Sequence, residues 1–192
     1  MRIGKVDRRT EETHVQVFVS LDGKGSATVK TGIAFLDHML TSLATHSLID
    51  LQVKAEGDLQ HHIVEDVALA LGSALSKALR DRRGIRRFGF AIVPMDDSLA
   101  LAAVDLVRRP FASIQLQIER TMLEDVPRED LEHFLPSLTT ALEATVHVKI
   151  LDGRNDHHKV EAAFKAFSLA LRDAIAVDTR RSLRAPSSKG AI

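Results

Sequence analysis

The chain is written twice. Leu36-Asp37-His38-Met39-Leu40-Thr41-Ser42-Leu43 reads against Leu131-Glu132-His133-Phe134-Leu135-Pro136-Ser137-Leu138, and Val53-Lys54 reads against Val148-Lys149, at an offset of 95. Gly57 then matches Gly153, His61-His62 matches His157-His158, and Glu65 matches Glu161, at an offset of 96. Downstream, Ala70, Ala74, Leu75 and Ala78 recur as Ala166, Ala170, Leu171 and Ala174, and Glu12-Thr13 has a weaker echo in Asp97-Ser98. The period is too long and the copies too few for a solenoid. Two similar halves sharing one core are expected instead, and 192 residues with 45% apolar content can bury such a core.

Hydrophobic periodicity supplies the elements. Val15, Val17, Val19 and Leu21 alternate with His14, Gln16, Phe18 and Ser20, which predicts a strand with one buried face. Asp22-Gly23-Lys24-Gly25 reads as a turn, followed by a strand near 26–30. A helix is expected over 33–46, a strand over 48–55 and a long Ala/Leu-rich helix over 62–81. The second half repeats the order: strands near 88–94 and 99–107, a helix near 129–144, a strand near 145–150 and a helix near 158–175. The expectation is a single α+β domain of two halves, about 1–95 and 96–180, with helices packed on one side of the sheets. No Gly/Pro/Ser-rich linker divides the halves. Residues 181–192 hold Pro186, Ser187, Ser188 and Gly190 and no acid, so an unpacked C-terminal tail is expected.

The duplicated segments also carry chemistry. In each copy two adjacent histidines precede a glutamate by four and three residues, so on a helix one of them shares a face with it. Imidazole plus carboxylate on one face suits divalent Mn, Fe or Zn. A lone histidine is more often a solvated polar residue, and His14 and His147 are read that way; a duplicated pair is harder to dismiss. There is no Cys, so thiolate sites and disulfides are excluded. Twenty-six basic residues balance 26 acidic ones, and without Trp or Tyr nothing favours nucleic acid. The N-terminus has no apolar signal core and no apolar run approaches membrane-spanning length, so a cytoplasmic protein without membrane contact is the default expectation.

Ordered motifs over most of the chain resemble one family. They include Arg8-x-Thr10-x-Glu12-Thr13, Leu21-Asp22-Gly23-x-Gly25 and Thr31-Gly32-Ile33-x-Phe35-Leu36-Asp37-His38-Met39-Leu40. They continue through Gly57-Asp58, His61-His62-x-Val64-Glu65-Asp66, Gly84-Ile85-x-Arg87-Phe88-Gly89, Pro94-Met95-Asp96, Arg109-Pro110 and Glu132-His133-Phe134. The last are Gly153-x-Asn155-x-His157-His158-x-x-Glu161-Ala162-x-Phe164-Lys165-Ala166 and Pro186-Ser187-x-Lys189-Gly190. On these the chain resembles imidazoleglycerol-phosphate dehydratase, a lyase (hydro-lyase) of histidine biosynthesis. It departs from the pattern in the loop before His61, where only Leu59 and Gln60 follow Asp58, and in carrying Asp97, Arg108 and Ser42.

The resemblance implies a ribosomal protein S5 domain 2-like fold and a homo-oligomer of 24 subunits built from trimers, with active sites between subunits. It implies dehydration of D-erythro-imidazole-glycerol phosphate to imidazole-acetol phosphate with two Mn(II) ions per active site. The metal ligands carried over are His38, His61, His62, Glu65, His133, His157, His158 and Glu161, two sets of three imidazoles and one carboxylate. Which ligands share an ion stays open. Metal coordination of the substrate's ring makes its remaining N–H more acidic, which opens a route to expel the C3 hydroxyl before the C2 proton leaves. Glu12 matches the family's catalytic glutamate, and Asp96 is a candidate orienting group. Arg87, Arg109, Lys165, Ser187 and Lys189 match phosphate contacts, with His46 a further candidate. A metal-storage protein would use the same histidines but not the phosphate set, and a nucleic-acid module would need a basic surplus.

Overall fold

The computed structural model describes residues 1–181 and 184–190; residues 182–183 and 191–192 of the tail lie outside the described residues. The elements in order are β1 Ile3–Arg9, β2 Thr13–Ser20, β3 Ala27–Lys30, α1 Ala34–Ser47, β4 Asp50–Gly57 and α2 Gln60–Leu79 in the first half. The second half has β5 Phe88–Met95, β6 Ser98–Asp105, β7 Phe111–Gln115, β8 Met122–Leu123, β9 Val126–Pro127, α3 Arg128–Leu142, β10 Thr145–Asp152 and α4 Asp156–Ile175. Two four-stranded mixed sheets result, with orders β1-β2-β4-β3 and β5-β6-β10-β7. In each, three strands run antiparallel and the fourth lies parallel to the central return strand. The fold is α+β and duplicated, as the internal repeat predicts.

Each sheet carries helices on one face only. α2 packs on β1, β2 and β4 and α1 on β3, while α4 packs on β5, β6 and β10 and α3 on β7. The alternating residues of β2 and β10 that point toward the helices (Val15, Val17, Val19; Val146, Val148, Ile150) are buried. The helices then meet across the repeat, α2 against α3 and α1 against α4. The four helices therefore lie between the two sheets, and one apolar cluster contains residues of both halves. Burial of that cluster is the dominant favourable contribution to the fold.

The structure holds one more main strand per half than the periodicity predicts. β1 escapes because Lys5, Asp7 and Arg9 on its outward face are charged and one of its inward positions is a glycine. A Cβ on Gly4 would lie 1.8 Å from the Ala74 carbonyl oxygen of α2, and one on its counterpart Gly89 would lie 1.9 Å from the Ala170 oxygen of α4. These two glycines let a helix backbone approach an outer strand, and in β1 this interrupts the alternation that would reveal the strand. β7 buries none of its five residues fully, so it too lacks a hydrophobic signature. The α1 and α3 helices end alike, on Leu48 and Glu143 with φ of 58° and 56°. The α3 end is further capped by Arg82, which is fully buried and donates to the Leu142 and Glu143 carbonyls at 2.6 and 2.8 Å. Burial, with Arg108 nearby, lowers the Arg82 pKa to about 10, so the cap stays charged at neutral pH. No helix among the described residues is long and apolar enough to cross a membrane.

Candidate metal centre and anion cradle

The crossing of helices from opposite halves builds the site. His38 comes from α1 in the first half, and His157 and Glu161 come from the first two turns of α4 in the second. Their ligand atoms lie within 4.8 Å of one another. The Glu161 Oε2 oxygen is 3.8 Å from His38 Nε2 and 3.5 Å from His157 Nε2. Ligands held at about 2.0–2.2 Å from one ion sit up to about 4.4 Å apart, so this N2O group has nearly the spacing a divalent cation needs. The hard-to-borderline donors fit Mn(II), Fe(II) or Zn(II) and exclude a thiolate-type centre.

The mirror-image cluster reverses the halves. His133 comes from α3, and His61 and Glu65 come from α2. His133 Nε2 lies 3.3 Å from Glu65 Oε1. The rings of His61 and His133 are 6.2 Å apart at 31°, and those of His157 and His38 are 6.2 Å apart at 38°. Each cluster thus needs both halves of the chain. In α4 the structure groups His157 with Glu161, four residues on, whereas in α2 Glu65 meets His133 and the His61 ring lies 6.2 Å from that of His133; among the described residues only His38, His157 and Glu161 converge as a set of three.

The second member of each pair turns away. His62 is set at 61° to His61, and His158 at 84° to His157. His62 Nδ1 is 2.8 Å from Asp58 Oδ1 and 3.7 Å from Glu12 Oε2. His158 Nδ1 is 2.6 Å from Asp97 Oδ1, and its Nε2 is 3.4 Å from Asp96 Oδ2. The faint echo of Glu12 in Asp97 is therefore structural: each flanks the outward histidine of its own half. The Asp58 hydrogen bond raises the His62 pKa, and the His158 hydrogen bond with the Arg154 and Asn155 amides lowers that of Asp97.

The remaining candidates fall into two places. Lys165 Nζ sits 2.9 Å from Glu161 Oε1 and 3.2 Å from Met95 Sδ, beside the His38 cluster. Burial opposes ionisation of Glu161, but Lys165, His38 and His157 together leave its pKa below the ordinary value. His46, in the last turn of α1, joins this group; burial and then the Lys165 charge lower its pKa. Arg87, Arg109, Ser187 and Lys189 instead line a separate cavity of about 530 Å³, together with Arg108. There Arg87 grips Asp105 bidentately at 2.6 and 3.0 Å and donates to the Pro186 carbonyl at 3.0 Å. The described part of the tail is thus docked, with Pro186 buried, where an unpacked segment was expected. Among the described residues no carboxylate pairs with Arg109 or Lys189, so these cations face the cavity. Arg108 has no signal beyond a departure from a motif. Asp130 and Glu124, which contact His61 and His157, have none at all.

Comparison with known proteins identifies the family of the chain. The profile of the imidazoleglycerol-phosphate dehydratase family covers residues 31–171. The imidazoleglycerol-phosphate dehydratase of Methanothermobacter thermautotrophicus is 49% identical over 99% of this chain and 97% of its own. That of Chlorobium luteolum is 48% identical over 100% of this chain and 96% of its own. The crystal structure of the Pyrococcus furiosus enzyme superposes with a TM-score of 0.85 at 39% identity, covering 97% of this chain and 100% of that one. The chain belongs to the imidazoleglycerol-phosphate dehydratase family, hydro-lyases of histidine biosynthesis.

Proposed function

We propose that this chain dehydrates D-erythro-imidazole-glycerol phosphate to imidazole-acetol phosphate at two Mn(II) ions per active site, in sites completed between subunits. The observation that carries the reading is the three-ligand group of His38, His157 and Glu161, with its counterpart around His133 and Glu65 and an outward histidine beside each. His38, His157 and Glu161 hold one ion, and His61, His133 and Glu65 hold the other. His62 and His158 complete the sets of neighbouring subunits, in an assembly we take to be 24 chains built from trimers. When bound, the ions supply positive charge that holds the substrate's imidazole and diol and makes the ring N–H more acidic. Because each cluster draws on both halves, residues 1–95 and 96–180 act as one domain, with 181–192 as its tail.

The protein's own groups do the rest. Glu12, beside His62, exchanges protons with the substrate through its carboxylate. Asp96 orients His158. Lys165 and His46 lie with one metal cluster, whereas Arg87, Arg109, Ser187 and Lys189 line the separate cavity. Both sets grip one phosphate only if they meet across a subunit boundary, which supports the shared-site reading. Asp105 holds the Arg87 fork, so Arg109 and Lys189 provide the unshared cationic contacts.

Two measurements test this. With Mn(II) present, His62→Ala and His158→Ala are each expected to lower the assembly mass by light scattering, because the ligand lost belongs to a neighbour's ion. Full assembly and full metal content in both variants would refute the shared sites. Lys189→Ala removes a charge-assisted contact worth roughly 1.5–3 kcal/mol. A fall in kcat/KM of about 10- to 150-fold is expected, with assembly intact. Ketone formation from the imidazole diol phosphate is the readout, and an unchanged kcat/KM would remove Lys189 from the phosphate grip.

A further inference from the structure

The duplication makes each position in one cluster comparable with its counterpart in the other, and one pair of counterparts breaks the symmetry. In the register that aligns Leu36 with Leu131, Phe35 corresponds to Asp130. Asp130 lies in the first turn of α3 with its side chain only 2% exposed. It accepts a hydrogen bond from His61 Nδ1 at 2.6 Å, and among the described residues no other side chain bonds this carboxylate. Phe35 instead places its ring 5.1 Å from that of His157. His157 Nδ1 finds Glu124 at 3.1 Å, on the turn between β8 and β9, with that side chain 52% exposed. A second pair of counterparts differs in the same sense. Lys165 sits on Glu161, whereas the residue equally placed after Glu65 is Leu69.

These differences have a common consequence. A buried carboxylate is unfavourable unless a donor or cation meets it, and here the partner is a single imidazole. Donation from Nδ1 fixes the tautomer, leaves the Nε2 lone pair for an ion, and makes the ring a stronger ligand. Water reaches the carboxylate of Glu124 but not that of Asp130, although the His61 ring on Asp130 is 54% exposed, so solvent weakens the interaction more at Glu124. In the other cluster an incoming ion must also share Glu161 with the Lys165 ammonium group.

Resting on the metal reading above, we propose that Asp130 is a positioning residue for His61 and makes the two clusters unequal, so that His61, His133 and Glu65 take up Mn(II) first. The test is a titration of metal-stripped, full-length protein with Mn(II), the free ion followed by its electron paramagnetic resonance signal. Two classes of site are expected, one of each per chain. Asp130→Asn keeps the shape and an acceptor atom but removes the charge. It is expected to weaken the tighter class by about tenfold or more and leave the weaker one in place. Glu124→Gln is expected to shift the weaker class by less than about threefold. Two sites of equal affinity in the unaltered protein would overturn the inference and leave the two-ion reading standing, and this needs no variant to fold. An Asp130→Asn protein whose tighter class is unmoved would overturn it as well. Failure of the unaltered protein to bind Mn(II) would overturn the metal reading and this inference together.

Discussion

Stripped of divalent metal by a chelator, the protein is expected to lose all measurable turnover and to fall to a smaller oligomer, most simply a trimer. Added Mn(II) is expected to restore both. The expectation follows from where the ligands sit. His38 and His133 are carried by one helix of each crossing pair, and the glutamates with their partner histidines by the other. Without an ion, three polar groups converge with little but their own hydrogen bonds to hold them. With one, each cluster gains the binding free energy, about 2.7 kcal/mol at a free ion concentration a hundred times Kd. If His62 and His158 reach neighbouring chains, that free energy also becomes assembly free energy. Light scattering and elemental analysis read the two halves of the claim. Full activity in protein shown to be metal-free would sink it.

The parts of this arrangement that were legible in the sequence are those the duplication repeats. The adjacent histidines, the glutamates and the offsets of 95 and 96 point to two candidate ligand sets without any knowledge of the fold. Their pairing was not legible, because it depends on α1 crossing α4 and α2 crossing α3. Helix crossing is a packing outcome with no local signature. Either member of a His-His pair lies on a face with the glutamate by spacing alone; the backbone phase of α4 selects His157. Strands β1 and β7 were lost for a related reason. An outer strand with Gly4 at one of its inward positions, or whose residues are half-buried throughout, carries no alternation to read. The docked tail went unpredicted because its anchor is a backbone carbonyl, that of Pro186, and side-chain patterns say nothing about which guanidinium will meet it. Asp130 is the sharpest case. As a carboxylate in the first turn of a helix it reads as a favourable dipole partner facing water, and only the tertiary structure shows it buried against His61.

Glu12→Gln is expected to keep metal content and assembly while lowering turnover by about 10²-fold or more, the scale of a lost acid–base group. The surroundings of Glu12 make this a clean substitution. Its backbone is pinned independently of its side chain. The Glu12 amide donates to Thr10 Oγ1 at 3.2 Å, and the Glu12 carbonyl accepts from the Asp58 amide at 3.1 Å. Beneath it, Asp66 ties the start of β2 to β1, accepting from Arg8 Nε at 2.8 Å and from the Thr13 hydroxyl. The carboxylate itself is 57% exposed, and the ionisable side chain paired with it is His62 at 3.7 Å. Removing its charge therefore breaks no buried contact, and glutamine keeps the length. A stability effect within about 0.5 kcal/mol is expected for such a surface position. What glutamine cannot do is accept and return a proton. Should Glu12 merely be a solvated strand-end carboxylate, kcat at saturating substrate would stay near normal. Should it instead help hold His62 for a neighbour's ion, Mn(II) content and assembly mass would fall along with turnover. Only a steep loss of kcat with metal and mass unchanged identifies it as the group that moves the proton.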